Sequence, residues 1–514
     1  MKNDKTIAFI DIGSHSIKMH IGEKLRKDHI RQIEYLWVPV AIGRDTFSRG
    51  MVGNATIQEV ISVVKRFKEV MGSYHIGQFR AVATSSIREA SNVDVLIDRV
   101  QKATGIHVET IEPIEETEAI YEGVKSLLKN SAMFAKKNVV LFSIGAGSSE
   151  IVLQSKGSVI FSESHHMGTL RLIRDYDVSE SSHQLTLRPL SLGFANTIKR
   201  FPGIKGVDRF IAVNDDLLGL VQKRFPELLK DDVYCIPSRE FNELYYEVEK
   251  SSLDEMKTRY QLNENVLKTT RIAVYMVAMF FNMTKTPEIL IPDVSTSFFM
   301  MNYLFCQRDG IPLAGDLYQN ILSSAMAIGL KYQFDEEHAR AVADYALSIF
   351  DQLRETYNLT DRERIYLEVA SLLHDIGSFI GSSSHNKHSQ QLILSSEIMG
   401  LQANEMRMIA LVARYHRKSP PKPAHQEYNE LPTEERLIVS RLSGILRVAD
   451  ALDTTHNQVL QEIRLNLQND RCEFLLRMKE RSQDFIEIFR QAVKKKSDLF
   501  ESFYGLSVKV ERRP

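Results

Sequence analysis

The sequence predicts two similarly built α/β lobes, then an all-α domain, then a small α+β unit. Three observations support this division: the first half alternates short β-branched runs with amphipathic segments, one motif in it occurs twice, and strand signals vanish after about residue 309. A chain of 514 residues is also too long for one hydrophobic core. The predicted boundaries are 1–130 and 131–308 for the lobes, 309–460 for the helical domain and 461–514 for the terminal unit.

The predicted elements follow from hydrophobic periodicity. Apolar runs rich in β-branched residues predict strands, and apolar positions that recur every three or four residues predict helices. The predicted strands of the first half are Thr6–Asp11, Ser16–Ile21, Ile33–Val40, Phe79–Thr84, Asn138–Ile144, Glu150–Leu153 and Ser158–Ser162. The predicted helices there are Ile57–Val70 and Ile114–Leu128, and the stretch after about Leu465 is predicted as a strand, a helix over Gln483–Glu501 and a strand.

The internal repeat is the first indication of function. Ala8–Ile21 (AFIDIGSHSIKMHI) and Val140–Leu153 (VLFSIGAGSSEIVL) each contain an apolar strand, Ile-Gly, a small polar turn and a second strand. Glycine lets the backbone approach a ligand closely, and consecutive N–H groups bind phosphate oxygens. A single turn of this kind is more often a plain hairpin, and the pair favours phosphate binding. The candidate residues are Gly13, Ser14, Ser16, Gly145, Gly147, Ser148 and Ser149.

Composition excludes several classes of protein. With 43% apolar and 25% charged residues and a formal net charge of -1, the chain is typical of globular proteins and has no overall field that would attract nucleic acid or a membrane. Its three widely separated cysteines offer no thiolate metal spacing and favour a reducing compartment. The longest apolar run, Ile272–Phe281, is too short to span a bilayer, and the N-terminus lacks a signal-peptide pattern. We expect a cytoplasmic protein.

Five segments within the first 172 residues carry a family resemblance. They are the two Gly/Ser turns, AVATSSIREASN (Ala81–Asn92), IEPIEETEAIYEGV (Ile111–Val124) and HMGTLRL (His166–Leu172). In this order they resemble the motifs of the exopolyphosphatase / guanosine pentaphosphate phosphohydrolase (Ppx/GppA) family. The resemblance implies an actin/hexokinase-like (ASKHA, ribonuclease H-like) fold with a phosphate site between the lobes. It also implies inorganic polyphosphate or guanosine penta-/tetraphosphate as the ligand, Mg²⁺ (or Mn²⁺) as the cofactor, and a homodimer.

The resemblance assigns catalysis to Glu116, the second residue of the Glu-Glu pair, which would accept a proton from the attacking water. From the residues alone, the first turn of a helix, where Glu is favoured, is the better explanation of Glu116. Arg88 is the candidate phosphate clamp because a guanidinium binds two oxygens at once, and its alternative is a surface arginine paired with Glu89. Thr84 and Ser85 would add hydroxyl contacts. The candidate metal ligands are Asp11 and Glu150, with Asp215 or Asp216 as possible additions.

Three positions depart from the family pattern. Ser143 stands where the family has the metal-holding Asp of the second loop, and His15 replaces an Asn of the first. IAVNDD (Ile211–Asp216) and DVSTSFF (Asp293–Phe299) replace two turns on the acceptor side. Mg²⁺ usually takes one or two carboxylates, and a serine does not supply that charge. A phosphate-sensing site without turnover is therefore an open alternative.

The helical domain contains a second set of candidates. The amphipathic segment Asp335–Leu353 places His338 on its apolar face, and the pair His374-Asp375 and the residue Asp450 fall in two further predicted helices. A lone inward histidine is more often a core residue, but His, His-Asp and Asp in this order resemble the metal ligands of HD-domain phosphohydrolases. Imidazole and carboxylate together suit Mn²⁺, iron, Zn²⁺ or Mg²⁺.

Further histidines lie between these motifs and allow two interpretations. His385, His388 and His416 would support a second metal ion. Alternatively, they would form a basic patch that holds polyphosphate. That patch consists of Lys387, His388, Arg414, His416, Arg417 and Lys418.

The sequence therefore supports three hypotheses. The first is a phosphoanhydride hydrolase that acts between the lobes, with Glu116 as the base. The second is an HD-domain metal phosphohydrolase in which the lobes act as a sensor. The third is a non-catalytic regulator that binds polyphosphate or an alarmone. We rank the first highest because the resemblance covers nearly the whole chain.

Overall fold

The structure is a computed structural model, which describes residues 3–26, 29–128, 136–176, 206–262, 264–308, 317–468, 470–479 and 484–513. The chain forms two compact units, Met1–Leu317 and Tyr318–Pro514. Both predicted lobes lie in the first unit, and the helical domain and the terminal unit lie in the second. Within the described ranges, no helix has the length and apolar character that crossing a membrane requires.

The first lobe is a five-stranded mixed sheet with the order β3-β2-β1-β4-β5. Strands β1, β2 and β3 are antiparallel, while β4 and β5 run parallel to β1. All the predicted strands and helices of this lobe are present, most of them longer than predicted. The strands are β1 (Asn3–Ile12), β2 (Ser16–Arg26), β3 (His29–Pro39), β4 (Ile76–Ala83) and β5 (Glu109–Thr110); the helices are α1 (Ile42–Arg49), α2 (Asn54–Ser73), α3 (Ser85–Arg88), α4 (Val93–Thr104) and α5 (Pro113–Leu127).

The second lobe repeats this topology. Its seven-stranded sheet has the order β10-β11-β12-β9-β6-β7-β8, in which β8-β7-β6-β9-β12 matches β3-β2-β1-β4-β5 in strand direction. The strands are β6 (Asn138–Ile144), β7 (Ser149–Ser155), β8 (Ser158–His165), β9 (Arg209–Val213), β10 (Leu229–Lys230), β11 (Val233–Pro237) and β12 (Glu288–Pro292). The helices are α6 (Thr169–Tyr176), α7 (Asp215–Arg224), α8 (Ser238–Lys250), α9 (Leu253–Tyr260), α10 (Glu264–Thr284) and α11 (Thr296–Arg308). Two alike lobes, predicted from the repeat, are confirmed.

Strand alternation decides which residues of the first sheet reach the ligand side. Ile10, Ile12 and Met19 point to one face and pack in the core formed with α2 and α4. Phe9 points to the opposite face, where α11 covers it. Asp11 shares this second face with Phe9 because side chains alternate along a strand. It lies beyond the part that α11 covers and reaches an open cavity.

The second unit begins with seven helices. They are α12 (Leu317–Lys331), α13 (Glu336–Tyr357), α14 (Asp361–Leu373), α15 (His385–Leu394), α16 (Ala403–Arg414), α17 (Gln426–Asn429) and α18 (Thr433–Ala451). The helix predicted to run through His374 and Asp375 instead ends at Leu373, and a 3₁₀ turn over Ile376–Phe379 follows. The chain turns here because Gly377 packs directly on the backbone of α15, where a Cβ atom would lie 2.1 Å from the His385 carbonyl oxygen.

A small α+β layer ends the second unit. Its strands β13 (Leu460–Gln468), β14 (Arg471–Met478) and β15 (Ser507–Arg512) form one sheet in that order. The single helix predicted over Gln483–Glu501 is in fact two, α19 (Phe485–Lys496) and α20 (Asp498–Tyr504). The break has a local cause: Arg447 of α18 donates to the Lys496 carbonyl oxygen at 3.1 Å and to the Asp498 carboxylate at 2.7 Å.

Candidate functional site

A cavity of roughly 1410 Å³ lies between the two lobes of the first unit. It opens where the β1–β2 turn and the β6–β7 turn, the two halves of the repeat, face each other. Nearly all the phosphate-site residues predicted from the sequence line it: Asp11, Gly13, Ser14, Ser16, Thr84, Ser85, Glu116, Gly145, Gly147, Ser148 and Glu150.

The two turns have the same internal geometry. Gly13 N–H donates to the Ser16 carbonyl at 3.0 Å, and Gly145 N–H donates to the Ser148 carbonyl at 2.9 Å. Ser85 lies between them, since its hydroxyl is 3.4 Å from that of Ser14 and would be 2.3 Å from a Cβ atom on Gly147. Glycine is required at 147 by this close approach. The two loops and the start of α3 therefore form one continuous polar surface.

A part-buried cation, Lys18, lies beside Asp11 and was not among the predicted site residues. Lys18 is the cross-strand partner of Asp11 in the β1–β2 pair, and its ammonium nitrogen is 3.9 Å from Asp11 Oδ2 and 2.5 Å from Asp215 Oδ2. Asp215 also accepts hydrogen bonds from the backbone and hydroxyl of Thr296, at 2.9 and 3.2 Å. Lys18 thus links the two lobes through one ion pair. Strand alternation places Lys18 on the same face of the sheet as Asp11. This alternation is the sequence signal that could have identified Lys18 as a site residue.

Glu116 lies in the first turn of α5 and faces the cavity. Burial raises its pKa to about 7, against the lowering effect of the Arg88 charge. Burial likewise raises the pKa of Asp11 to about 6, although Lys18 opposes it. The pKa of Asp216 is also raised to about 6, chiefly by burial. The cavity therefore holds carboxylates that are poorly compensated and ready to take up a proton or a cation.

Two predicted phosphate contacts do not line the cavity. Ser149 is fully buried at the start of β7 and is not part of the cavity lining, so its assignment as a phosphate contact stays a prediction. Arg88 donates to the carbonyl oxygen of Ile111 and acts electrostatically on Glu116. Glu89, its suggested partner, pairs with Arg171 of α6 instead. Arg88 thus lies next to Glu116, the candidate base, but does not form part of the cavity wall.

The donor set of the cavity fits a divalent cation with few protein ligands. Asp11 Oδ1 is buried and accepts no hydrogen bond from any described residue. Glu150, Asp215 and Asp216 also line the cavity. Ser143, the position of the missing family carboxylate, lies among them and is 3% exposed. One or two carboxylates plus waters and phosphate oxygens is the usual environment of Mg²⁺, and this cavity provides it without Ser143.

The helical unit brings together a set of side chains that the sequence predicted. His338, His374 and Asp450 are buried, and one ligand atom from each lies within 4.8 Å of the others. His338 comes from α13, whose N-cap Asp335 accepts from the His338 backbone N–H, and Asp450 comes from α18. The ring nitrogen Nδ1 of His338 donates to Asp453 Oδ2 at 2.8 Å, and that of His374 donates to the Ser371 carbonyl at 2.7 Å.

Asp375 belongs to a second, neighbouring set with His385 and His416. Its Oδ1 atom lies 3.1 Å from His385 Nε2, 3.5 Å from His416 Nε2 and 3.8 Å from His374 Nε2. The four residues predicted as one site are therefore divided between two adjacent sets. His385 and His416, for which the sequence left two interpretations, complete the second one.

The arrangement of the His385 and His416 rings, and the neutral state of His416, favour a bound metal ion. His385 and His416 donate their Nδ1 protons to the carbonyls of Ser382 and Ala413, at 3.1 and 2.6 Å. Their Nε2 lone pairs then face each other at 3.3 Å, which requires a proton or a cation between them. Burial lowers the pKa of His416 to about 3, so its ring stays neutral. A neutral imidazole whose far nitrogen is fixed by a hydrogen bond is the usual form of a histidine ligand, whereas the hydrogen bond to Asp375 raises the pKa of His385.

The predicted basic patch is partly wrong. His416 is 1% exposed and points into the second set, not to the surface. Arg414 is held by the side chains of Gln390 and Glu427 at 2.8 and 2.5 Å. Lys387, Arg417 and Lys418 are exposed, and His388 is half-buried. Lys418 donates to the Ser384 hydroxyl at 3.3 Å, and Arg417 lies 3.3 Å from His385 Nδ1, so both cations lie beside the start of α15, which also carries Lys387.

Models of known families match most of the chain. The Ppx/GppA phosphatase family matches residues 10–187, and its domain III matches residues 322–495. Together they cover more than half of the sequence, including the first loop, Glu116, the second loop and all six residues of the two His/Asp sets.

Full-length relatives agree with this. The guanosine-5'-triphosphate,3'-diphosphate pyrophosphatase of Aeromonas hydrophila is 21% identical over 476 residues, which cover 87% of this chain and 88% of the relative. That of Aeromonas salmonicida is 20% identical over 466 residues, with the same shares covered.

Solved structures show the same fold. An exopolyphosphatase from Cytophaga hutchinsonii superimposes with a TM-score of 0.52 at 19% identity, covering 60% of this chain and 99% of that one. The Ppx/GppA family member of Aquifex aeolicus gives a TM-score of 0.50 at 19% identity, covering 59% and 98%. The fold is therefore the actin-like two-lobed fold that the sequence predicted. With both family models matched in order along one chain, this protein belongs to the Ppx/GppA phosphatase family.

Proposed function

We propose that this protein is a phosphoanhydride hydrolase that releases the terminal phosphate of guanosine pentaphosphate or inorganic polyphosphate in the cavity between its lobes. One observation carries the proposal. A partly exposed glutamate with a pKa raised to about 7, Glu116, faces a cavity lined by two glycine-serine loops. This reaction needs a base that is half ionised near neutral pH and N–H groups that bind phosphate, and the cavity brings the two together. Relatives named for these two substrates support it.

The reaction is a displacement at the terminal phosphorus. A water oxygen forms a bond to this phosphorus as the bond to the bridging oxygen breaks, and Glu116 accepts the proton that the water loses. The bridging oxygen leaves on the shortened chain with the electron pair of the broken bond. The products are orthophosphate and a substrate shortened by one phosphate.

The loops hold the phosphates while this occurs. The backbone N–H groups and hydroxyls of the turns at Gly13–Ser16 and Gly145–Ser148 offer donors to phosphate oxygens from the two lobes. Lys18 adds a positive charge between them, held in place by Asp215. Mg²⁺ held by Asp11, with Glu150 or Asp216 nearby, would offset phosphate charge. A carboxylate in place of Ser143 is not needed because other carboxylates line the same wall.

The test is phosphate release with Mg²⁺ from both substrates, by the wild type and two variants. Glu116→Gln keeps the size of the side chain but removes the base, and we expect kcat to fall by about 10²- to 10⁴-fold. Glu69→Gln, at an exposed position of α2 in the same lobe, is the matched control and should leave activity unchanged. Full activity in Glu116→Gln would refute the assigned base. No release from either substrate by the wild type would favour a binding protein.

A second candidate function rests on the helical unit. Two adjacent sets of buried ligands, His338/His374/Asp450 and Asp375/His385/His416, fit a pair of metal ions. The pKa of Asp375 is held well below its usual value: burial would raise it, but the surrounding histidines outweigh burial. Such a site would activate water for hydrolysis of a phosphate ester. Here the two lobes would act as the sensor.

A measurement of metal binding distinguishes this second candidate function from hydrolysis between the lobes. Calorimetric titration of Asp11→Asn protein with Mn²⁺ removes the contribution of the front cavity. Two bound ions that His338→Ala and His416→Ala each reduce would support the metal pair. No binding in Asp11→Asn would confine metal chemistry to the cavity between the lobes.

A further inference from the structure

Two aromatic side chains form part of the cavity wall and have no role in the proposed hydrolysis. Tyr35 and Trp37 are 39% and 42% exposed on β3, the edge strand of the first sheet. Both line the cavity. Trp37 is the only tryptophan of the chain. Single exposed aromatic residues are common, but two on the same face of one strand, inside the cavity that also contains the two Gly/Ser loops, form a ligand surface.

The strand register connects this surface to the phosphate site. Trp37 is the direct cross-strand neighbour of Lys18, and Lys18 is that of Asp11. These three residues therefore form one row across the cavity face of the sheet. Two strand spacings separate Asp11 from Trp37, or about 10 Å. The distance from a group bound at Trp37 to a phosphate held at Lys18 thus corresponds to one to two phosphates along a ligand chain.

The ring of Tyr35 packs on a histidine that hydrogen bonds hold in place. The ring of Tyr35 stacks on that of His20, with 4.7 Å between centroids and an angle of 30°. His20 is fixed by hydrogen bonds to Gln32 at 2.8 Å and to Ser297 at 2.7 Å. Gln32 reaches this face because a β-bulge shifts the register of β2 and β3 between Ile21 and Gly22. Partial burial raises the pKa of Tyr35 to about 12, so its hydroxyl stays neutral and able to donate.

From this arrangement we propose that Tyr35 and Trp37 form a nucleobase-binding surface, on which a purine stacks while the phosphates of the same ligand occupy the two loops. The proposal rests on the proposed function and narrows its substrate class to a nucleoside polyphosphate. Inorganic polyphosphate has no aromatic group and gains nothing from this surface. Stacking of a base on an aromatic side chain depends on the π-face alone, so it tolerates different bases.

The sole tryptophan gives a direct readout of binding. We expect guanosine 5'-triphosphate 3'-diphosphate to quench the fluorescence of Glu116→Gln protein saturably, because the base lies on Trp37 while the ligand is not consumed. Inorganic polyphosphate should bind without this quenching. Equal quenching by both ligands, or none by the nucleotide, would overturn the proposal.

Kinetics supplies the second readout. Trp37→Ala should raise KM for the nucleotide about tenfold, within the range of base stacking on an aromatic residue. Its kcat/KM for polyphosphate should stay within about twofold of the wild type, since that ligand makes no stacking contact. Trp37→Phe retains an aromatic face and should restore most of the nucleotide KM. Ile33→Ala, on the same strand and exposed but outside the cavity lining, is the matched control.

The outcomes separate this inference from the proposed function. Equal losses with both substrates in Trp37→Ala would mean that the residue supports the fold or the phosphate site, and would overturn the nucleobase proposal. If neither substrate is hydrolysed but calorimetry shows nucleotide binding that Trp37→Ala weakens and Trp37→Phe retains, the proposed function fails and the nucleobase surface stands.

Discussion

The part-buried ion pair between Lys18 and Asp215 provides a quantitative test of how the lobes are joined. Lys18 is 14% exposed at its side chain and Asp215 28%, and their charged atoms are 2.5 Å apart. Burial would lower the pKa of Lys18, but the carboxylates of Asp215 and Asp11 raise it above its usual value. Lys18→Met leaves two carboxylates close together without this counter-charge. Removing one partner of a buried pair costs about 3–5 kcal/mol, and the partial exposure of Asp215 places the expected loss near 3 kcal/mol.

Urea unfolding followed by the fluorescence of Trp37 measures this loss locally, because Trp37 is the cross-strand neighbour of Lys18. With a slope of about 3 kcal/mol per molar urea, the midpoint should fall by about 1 M. In Lys18→Met/Asp215→Asn, the second substitution removes the unpaired charge, so the two losses should fall short of additivity by about 2 kcal/mol. The exposed Lys65→Met on α2 is the control. An unchanged midpoint in Lys18→Met, or strict additivity in the double variant, would show that this ion pair does not join the lobes.

Three further outcomes follow from the geometry. Only the ionised form of Glu116 accepts a proton, and its pKa is about 7, so kcat/KM should fall about tenfold per unit below pH 7 and level off above it; a flat profile between pH 5 and 7 would contradict this. Gly147→Ala would place a Cβ atom 2.3 Å from the Ser85 hydroxyl, and we expect KM for phosphate substrates to rise while Gly72→Ala, with open space around it, leaves KM unchanged. Gly377→Ala would place a Cβ atom 2.1 Å from the His385 carbonyl and 2.3 Å from the Ser389 nitrogen, which are backbone atoms, and should cost about 3 kcal/mol. This corresponds to roughly 8 °C in the melting temperature of a unit of this size, measured by circular dichroism, and an unchanged melting temperature would refute the assigned packing.

Much of the fold is predictable from the sequence because its signals are local. The strands of both lobes have alternating apolar residues, and the repeated Gly/Ser turn by itself indicates two lobes of the same design. Of the helices in the two lobes only α2 and α5 were predicted, and the strands β5 and β9 to β12 were missed. The sequence pattern indicates that Glu116 begins a helix, and it lies in the first turn of α5.

Contacts between distant segments could not be predicted. Lys18 and Asp215 are 197 residues apart, and only the packing of the two lobes brings them together. The sequence left two interpretations of His416, a second metal site or a basic patch, and the patch was suggested because Arg414, Arg417 and Lys418 surround it in sequence. The turn after α16 directs its ring inward, where its Nδ1 donates to the Ala413 carbonyl. His416 is therefore not part of the predicted surface.

In the helical unit, too, the sequence could not predict the distances between residues. The order of His338, His374, Asp375 and Asp450 indicated one metal site, since sequence order gives no distances. The helix ends at Leu373, and His374 and Asp375 fall in adjacent sets, with Asp375 Oδ1 still 3.8 Å from His374 Nε2. Gly377 fixes this turn by packing on α15, a contact that no periodicity reveals.

The proposed hydrolysis takes place between the lobes, and a single comparison of variants decides whether it does. Phosphate release from guanosine 5'-triphosphate 3'-diphosphate and from polyphosphate is measured in parallel for the wild type, Glu116→Gln and Asp375→Ala. We expect Glu116→Gln to lose activity and Asp375→Ala to retain it. Activity that survives Glu116→Gln and is lost in Asp375→Ala would contradict this proposal and assign hydrolysis to the metal ligands of the helical unit.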